Sequence, residues 1–139
     1  MPAEHGTARR RRFADDGGSS PVEFLLVGTL LTILTLAVLQ LAFAVYVRNV
    51  VHDAAVEGAY HAALGDTTLQ EGAERTRDVI TRAIGAGYAE EITVAESERL
   101  GHPTIGVRVR TTFPVIGLLG VPSAWEVEAH APEESLGEG

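Results

Sequence analysis

The sequence predicts an α+β chain: a long N-terminal transmembrane helix continues into a small outer domain with a second helix and about three antiparallel strands. Three observations predict it. An uncharged apolar run extends from Phe24 to Val47, a 3.6-residue period governs Leu69 to Ile84, and beyond Gly87 the period changes to two.

Residues 1–18 read as a basic cytoplasmic leader without apolar periodicity, where disorder is expected. Residues 19–47 read as the transmembrane helix. From Phe24 to Val47 about 24 residues carry no charge, enough at about 1.5 Å each to cross a bilayer with some tilt. Thr29, Thr32, Thr35 and Gln40 are the polar interruptions. Arg9, Arg10, Arg11 and Arg12 precede the run and only Arg48 lies close behind it, so the N-terminus is expected in the cytoplasm and residues 48–132 outside. Arg11-Arg12-Phe13 is followed by Ala-Asp-Asp rather than an apolar stretch, which argues against a twin-arginine signal. Ala42-Phe43-Ala44 has the look of a signal-peptidase site, but the apolar run before it is too long.

The junction Gly18-Ser19-Ser20-Pro21-Val22-Glu23, followed by Phe24, supports two compatible readings. In the first it is a helix start, with Ser20 as N-cap, Pro21 at the first helical position and Glu23 completing a Ser-x-x-Glu capping box. In the second it is also a processing site with an assembly role. A carboxylate at mid-bilayer costs roughly 2.5–3.5 kcal/mol on insertion scales, so Glu23 at the head of the span asks for a partner or a purpose.

Beyond the span no helix breaker occurs until Gly65. Asn49, Asp53, Glu57 and His61 fall on one face, and Ala54, Ala55, Gly58, Ala59, Ala62 and Ala63 form a small-residue face that lets another backbone approach closely. That backbone belongs either to the chain's own domain or to another subunit. Gly65 ends the helix and Thr67 or Thr68 caps a second. Its apolar side is Leu69, Ala73, Thr76, Ile80, Ala83 and Ile84, and Glu71–Arg75 and Asp78–Arg82 are i,i+4 ion pairs. Gly85-Ala86-Gly87 ends it.

Ile92-Thr93-Val94 is a short strand candidate. Ile105, Val107, Val109, Thr111 and Phe113 alternate with polar or small residues, as do Trp125, Val127, Ala129 and Ala131. Arg108 and Arg110 on one strand and Glu126 and Glu128 on the other invite antiparallel pairing. The apolar loop Pro114–Pro122 either covers the core or touches membrane or partner. Residues 133–139 form an acidic tail expected to be disordered.

The formal net charge is −8, carried mostly by the outer part, which argues against nucleic acid and against electrostatic docking to anionic lipid. The chain has no cysteine, hence no disulfide and no thiol nucleophile. His52, Asp53, Glu57 and His61 lack the His-Glu-x-x-His arrangement and read as a solvated helix face. No Gly-x-Ser-x-Gly or phosphate-loop lysine is present, so neither a catalyst, a cofactor, a metal site nor a small-molecule substrate is expected.

Val22-Glu23-Phe24 with its apolar span, and Asp53-Ala54-Ala55-Val56-Glu57-Gly58-Ala59-Tyr60 on the emerging helix, resemble the TadE-like family, minor pilins or pseudopilins of Tad pilus assembly. The likeness covers Gly18 to Gly65. The span lacks the family's frequent Leu-Pro interruption, Val56 and Tyr60 stand where basic residues are usual, and Asp15-Asp16 precede the junction. The resemblance implies a pilin-like fold and a non-catalytic, membrane-anchored assembly component. It further implies cleavage by a prepilin peptidase after Gly18, freeing the Ser19 amine, and Glu23 beside Phe24 pairing with an amine. Ala54, Ala55, Gly58 and Ala59 are the implied helix-packing residues, and the implied partners are other pilin or pseudopilin subunits and inner-membrane assembly proteins. An uncleaved single-pass anchor whose outer domain binds another envelope protein is the alternative.

Overall fold

A computed structural model describes residues 1–3, 16–114 and 120–134. The leader from residue 4 to 15, the loop from 115 to 119 and the tail from 135 to 139, each the subject of an expectation above, lie outside the described residues. The chain divides into two compact units, 1–38 and 39–139. Secondary structure runs α1 (Asp16–Ala63), α2 (Leu69–Ile84), β1 (Glu91–Arg99), β2 (His102–Pro114) and β3 (Gly120–Pro132), with a 3-10 turn at Ala86–Tyr88. A long apolar helix, a second helix and a three-stranded antiparallel sheet in the order β1-β2-β3 make the α+β layout that the sequence predicts.

The first unit is the first half of α1. The helix starts at Asp16, one turn upstream of the expected cap, so Pro21 lies inside it and Ser20 is not its N-cap. Pro21 has no N–H to reach the carbonyl of Gly17, so α1 lacks one backbone bond near its N-terminus. From Phe24 onward the side chains are exposed on every side of the helix, and no part of the most apolar 18-residue window is buried.

The second unit is organised around the later part of α1. Val47, Val51, Ala54, Ala55, Ala59, Ala62 and Ala63 are buried in one cluster with Ile80 of α2, Ile105, Val107 and Val109 of β2, and Val127, Ala129 and Ala131 of β3. Burying a valine-sized side chain is worth roughly 1.5–3 kcal/mol, and these inward positions are the alternate residues of each strand. Small residues on α1 allow the helix and sheet to approach closely.

α2 begins with a capping box: Thr68 accepts from the backbone N–H of Glu71 at 3.2 Å, and the Glu71 carboxylate accepts from the Thr68 N–H at 2.7 Å. Gly85, at φ +105°, ends it. Gly72, Thr76 and Ile80 are its buried residues, whereas Ala83, expected on the inner face, is exposed in the last turn, beyond the crossing of α2 with α1 at Gly72. Thr76, fully buried, bonds back to the Gly72 carbonyl at 3.0 Å, so its hydroxyl is satisfied within the helix.

β1 is nine residues long rather than three. Ile92 and Val94 are half-buried, but Ala95 to Arg99 are exposed and held by pairing with β2, from Ala95↔Gly106 to Arg99↔His102. Leu100 and Gly101, at φ 54° and 80°, make the two-residue hairpin turn between the strands. β2 and β3 pair from Thr104↔Pro132 to Pro114↔Gly120, with an irregularity between Thr111 and Phe113. Of the tail, Glu133 and Glu134 are tied down: their N–H groups donate to the carbonyls of Pro103 at 3.1 Å and Ala63 at 3.0 Å.

Candidate functional site

The apolar half of α1 carries the processing and assembly residues singled out above. Gly18 lies in the first turn of α1, and Ser19, Glu23 and Phe24 are exposed, Phe24 by 81%. Among the described residues Glu23 has no ion-pair partner. Among the described residues one helix is long and apolar enough to cross a membrane, with a mean hydropathy of 2.3 over its most apolar window.

The hydroxyls within that stretch are arranged for an apolar surrounding. Thr29, Thr32 and Thr35 each donate to the carbonyl four residues back, on Leu25, Gly28 and Leu31, all at 2.8 Å. A hydroxyl left without a partner in hydrocarbon would cost several kcal/mol, so each back-bond lets the residue face lipid. At the far end Phe43 and Tyr46 stack, with ring centroids 6.5 Å apart and planes inclined by 26°.

The small-residue face of α1 is occupied within the chain. Ala54, Ala55 and Ala59 are fully buried in the domain core, and Gly58 is buried against α2. At this crossing a Cβ on Gly58 would stand 2.7 Å from the Gly72 carbonyl oxygen, and one on Gly72 would stand 2.8 Å from that of Gly58 and 2.5 Å from the Ala62 Cβ. Beside it Glu57 pairs with Arg75, whose Nε donates to Oε1 at 2.8 Å. Arg75 was expected to pair with Glu71. Glu71 instead closes the capping box, and α1 brings a second carboxylate within reach of the same guanidinium. The Asp78–Arg82 pair forms as expected, at 2.5 Å.

The solvent face of the sheet carries a continuous chain of charge. Arg110 bridges Glu91 of β1 and Glu126 of β3, both at 3.2 Å, and Arg108 bridges Glu126 at 3.1 Å and Glu128 at 3.5 Å. The side-chain hydrogen bond to Glu126, then the fields of Glu91 and Glu126, push the Arg110 guanidinium further above its ordinary value. His130 continues the chain: its Nε2 lies 3.2 Å from Glu128 and its Nδ1 3.1 Å from Arg99 Nη1. Because arginine only donates, Nδ1 is the acceptor in the Arg99 contact. The ring fits because its neighbour on β2 is Gly106, where a Cβ would lie 3.3 Å from it.

Sequence reasoning found the Arg108/Arg110–Glu126/Glu128 pairing but missed the extension through Glu91, His130 and Arg99 and the Gly58–Gly72 seam. The alternation of Ile92-Thr93-Val94, extended one residue back, places Glu91 on the charged face. A glycine in the middle of α2 was the signal for the seam. Among the described residues no three potential metal ligands converge.

No curated protein and no solved structure gives a match to the chain. Residues 18–59, from the junction glycine to Ala59 on the small-residue face of α1 and stopping before α2 and the sheet, match the family model described as TadE-like protein, the family that the sequence of this stretch resembles.

Proposed function

We propose that the chain is a non-catalytic, membrane-anchored component of Tad-type pilus assembly, a minor pilin or pseudopilin that acts by helix packing with other subunits. The observation that carries this is the coincidence of the TadE-like match at residues 18–59 with a helix whose most apolar stretch is exposed on all sides among the described residues. The first half of α1 sits in the cell membrane with the arginine-rich leader in the cytoplasm and the outer domain on the other side. A prepilin peptidase cuts after Gly18, and the freed Ser19 amine, its own or a neighbour's, pairs with Glu23. Two such charges are expensive apart in hydrocarbon and neutralise one another together, so the pair favours the docked state. With Ala54, Ala55, Gly58 and Ala59 taken up by the chain's own domain, packing between subunits rests on the exposed stretch that begins at Phe24.

A second reading, an uncleaved single-pass anchor whose outer domain binds another envelope protein, is favoured by one observation: α1 runs without a break through Gly18 and Ser19. Intact-mass measurement of the protein extracted from membranes separates the two. A chain beginning at Ser19 supports the pilin reading, and a retained leader supports the plain anchor. If the protein is found only in the soluble fraction, both fail.

A further inference from the structure

Hydropathy alone lets the span run to Val47, but the outer domain claims the last turn. Ala44 is 4% exposed and Val47 is fully buried in the domain core. Side chains enclosed by protein cannot also face lipid. On the same turn Phe43 and Tyr46 stay open, 38% and 51% exposed, with their rings stacked. Arg48 and Asn49 follow, exposed and polar. From Phe24 to Phe43 there are about 20 residues, or about 30 Å at 1.5 Å per residue, the thickness of a bilayer's hydrocarbon core. Ending the span at Val47 would add about 6 Å in which part of the helix circumference is already covered by protein.

Rings with a polar edge or hydroxyl are favoured where hydrocarbon meets headgroups, and a long cation just beyond reaches the phosphates while its stem stays apolar. We infer that Tyr46 and Phe43 form an interfacial belt on a lipid bilayer, the Tyr46 hydroxyl in the headgroup layer and the Phe43 ring, which has no polar group, stacked against it at the edge of the hydrocarbon, so that the outer domain's core begins where the lipid ends, with no linker between. The inference rests on the membrane-anchor reading and adds the depth at which the domain is held.

The chain has no cysteine, so single-cysteine variants report one position each. Leu31→Cys, Leu39→Cys, Tyr46→Cys, Asn49→Cys and Asp53→Cys all replace exposed residues and leave the core intact. The full-length variants are reconstituted into phosphatidylethanolamine–phosphatidylglycerol vesicles and treated with a water-soluble maleimide, each rate being normalised to Asp53→Cys and to complete labelling in SDS. Maleimide reacts with the thiolate, which does not form in hydrocarbon. Labelling is expected to be lost at Leu31 and Leu39, slowed at Tyr46 and full at Asn49. Protection reaching Asn49, or full labelling at Leu39 or Tyr46 with Leu31 still protected, overturns the belt while leaving the anchor standing. Full labelling at Leu31 as well overturns the anchor itself.

Discussion

Gly58 of α1 and Gly72 of α2 lie backbone to backbone: a methyl on either would stand within 2.8 Å of the other's carbonyl oxygen. Neither carbonyl can retreat without moving its helix, because both are held in i,i+4 ladders. Gly58→Ala and Gly72→Ala are each expected to destabilise the outer domain by about 1–3 kcal/mol, the usual range for overpacking. Gly87→Ala, which meets nothing within 4 Å, is the control and should leave stability nearly unchanged. Thermal unfolding followed by circular dichroism in detergent reads the difference. Equal midpoints for Gly58→Ala and Gly87→Ala would show that the seam is loose.

The α2 capping box makes a prediction with a sign in pH. Hydrogen bonds from the Thr68 backbone, then from its hydroxyl, hold the Glu71 carboxyl below its ordinary value of 4.5. A folded-state value below the unfolded one contributes stability that is complete above the unfolded value and is lost as pH falls through the folded one. The wild type should therefore lose stability below about pH 4.5 relative to Glu71→Gln, and the gap between them should be widest at neutral pH. A gap of the same size at pH 7 and pH 3 would remove Glu71 from the account. Thr68→Ala should cost about 1 kcal/mol at neutral pH by removing the acceptor for the Glu71 N–H, and less at pH 3, where its hydroxyl no longer donates to an ionised carboxylate.

The charged ladder on the sheet is expected to contribute little at high ionic strength. Its side chains are about half-exposed, and ion pairs in that setting are screened by salt. Arg110→Ala should lower stability at low salt, with the loss shrinking as salt is added. Val109→Ala, one residue away on the fully buried side of the same strand, should cost about 2 kcal/mol regardless of salt. Chemical denaturation of the three proteins in urea at low and high salt checks this, and a salt-independent loss for Arg110→Ala would mean that it acts through packing.

Where local chemistry decided the structure, the sequence was readable: Thr68 caps, Gly85 terminates, and the Arg–Glu alternation of β2 and β3 sets their register. It was unreadable where a partner distant in sequence decides. Glu57 takes Arg75 from Glu71 because α1 passes alongside α2, and Gly72, a poor helix residue on propensity, is there because Gly58 leaves no room for more. The outer half of β1 shows no apolar alternation because it is a hairpin arm exposed on both faces, held by ladder bonds and by the polar contacts of Ser97 and Arg99. Of the site, the apolar run was plain from composition. Its end was not, since Ala44 and Val47 read the same whether lipid or protein covers them.

The hairpin turn offers the last prediction. Positive φ at two consecutive central residues is the turn whose twist matches that of paired strands, and it favours Asn-Gly. Here Leu100 occupies the first position at φ 54°, 98% exposed, so it gains nothing by burial and crowds its own carbonyl. Asparagine tolerates this conformation better. Leu100→Asn is expected to stabilise the domain by about 0.5–1 kcal/mol, whereas Gly101→Ala, at φ 80°, should destabilise it by about 1 kcal/mol or more. The two melting temperatures should move in opposite directions. If Leu100→Asn instead lowers the midpoint, Leu100 is making a contact that its exposure does not reveal, and the turn is not the strained element described here.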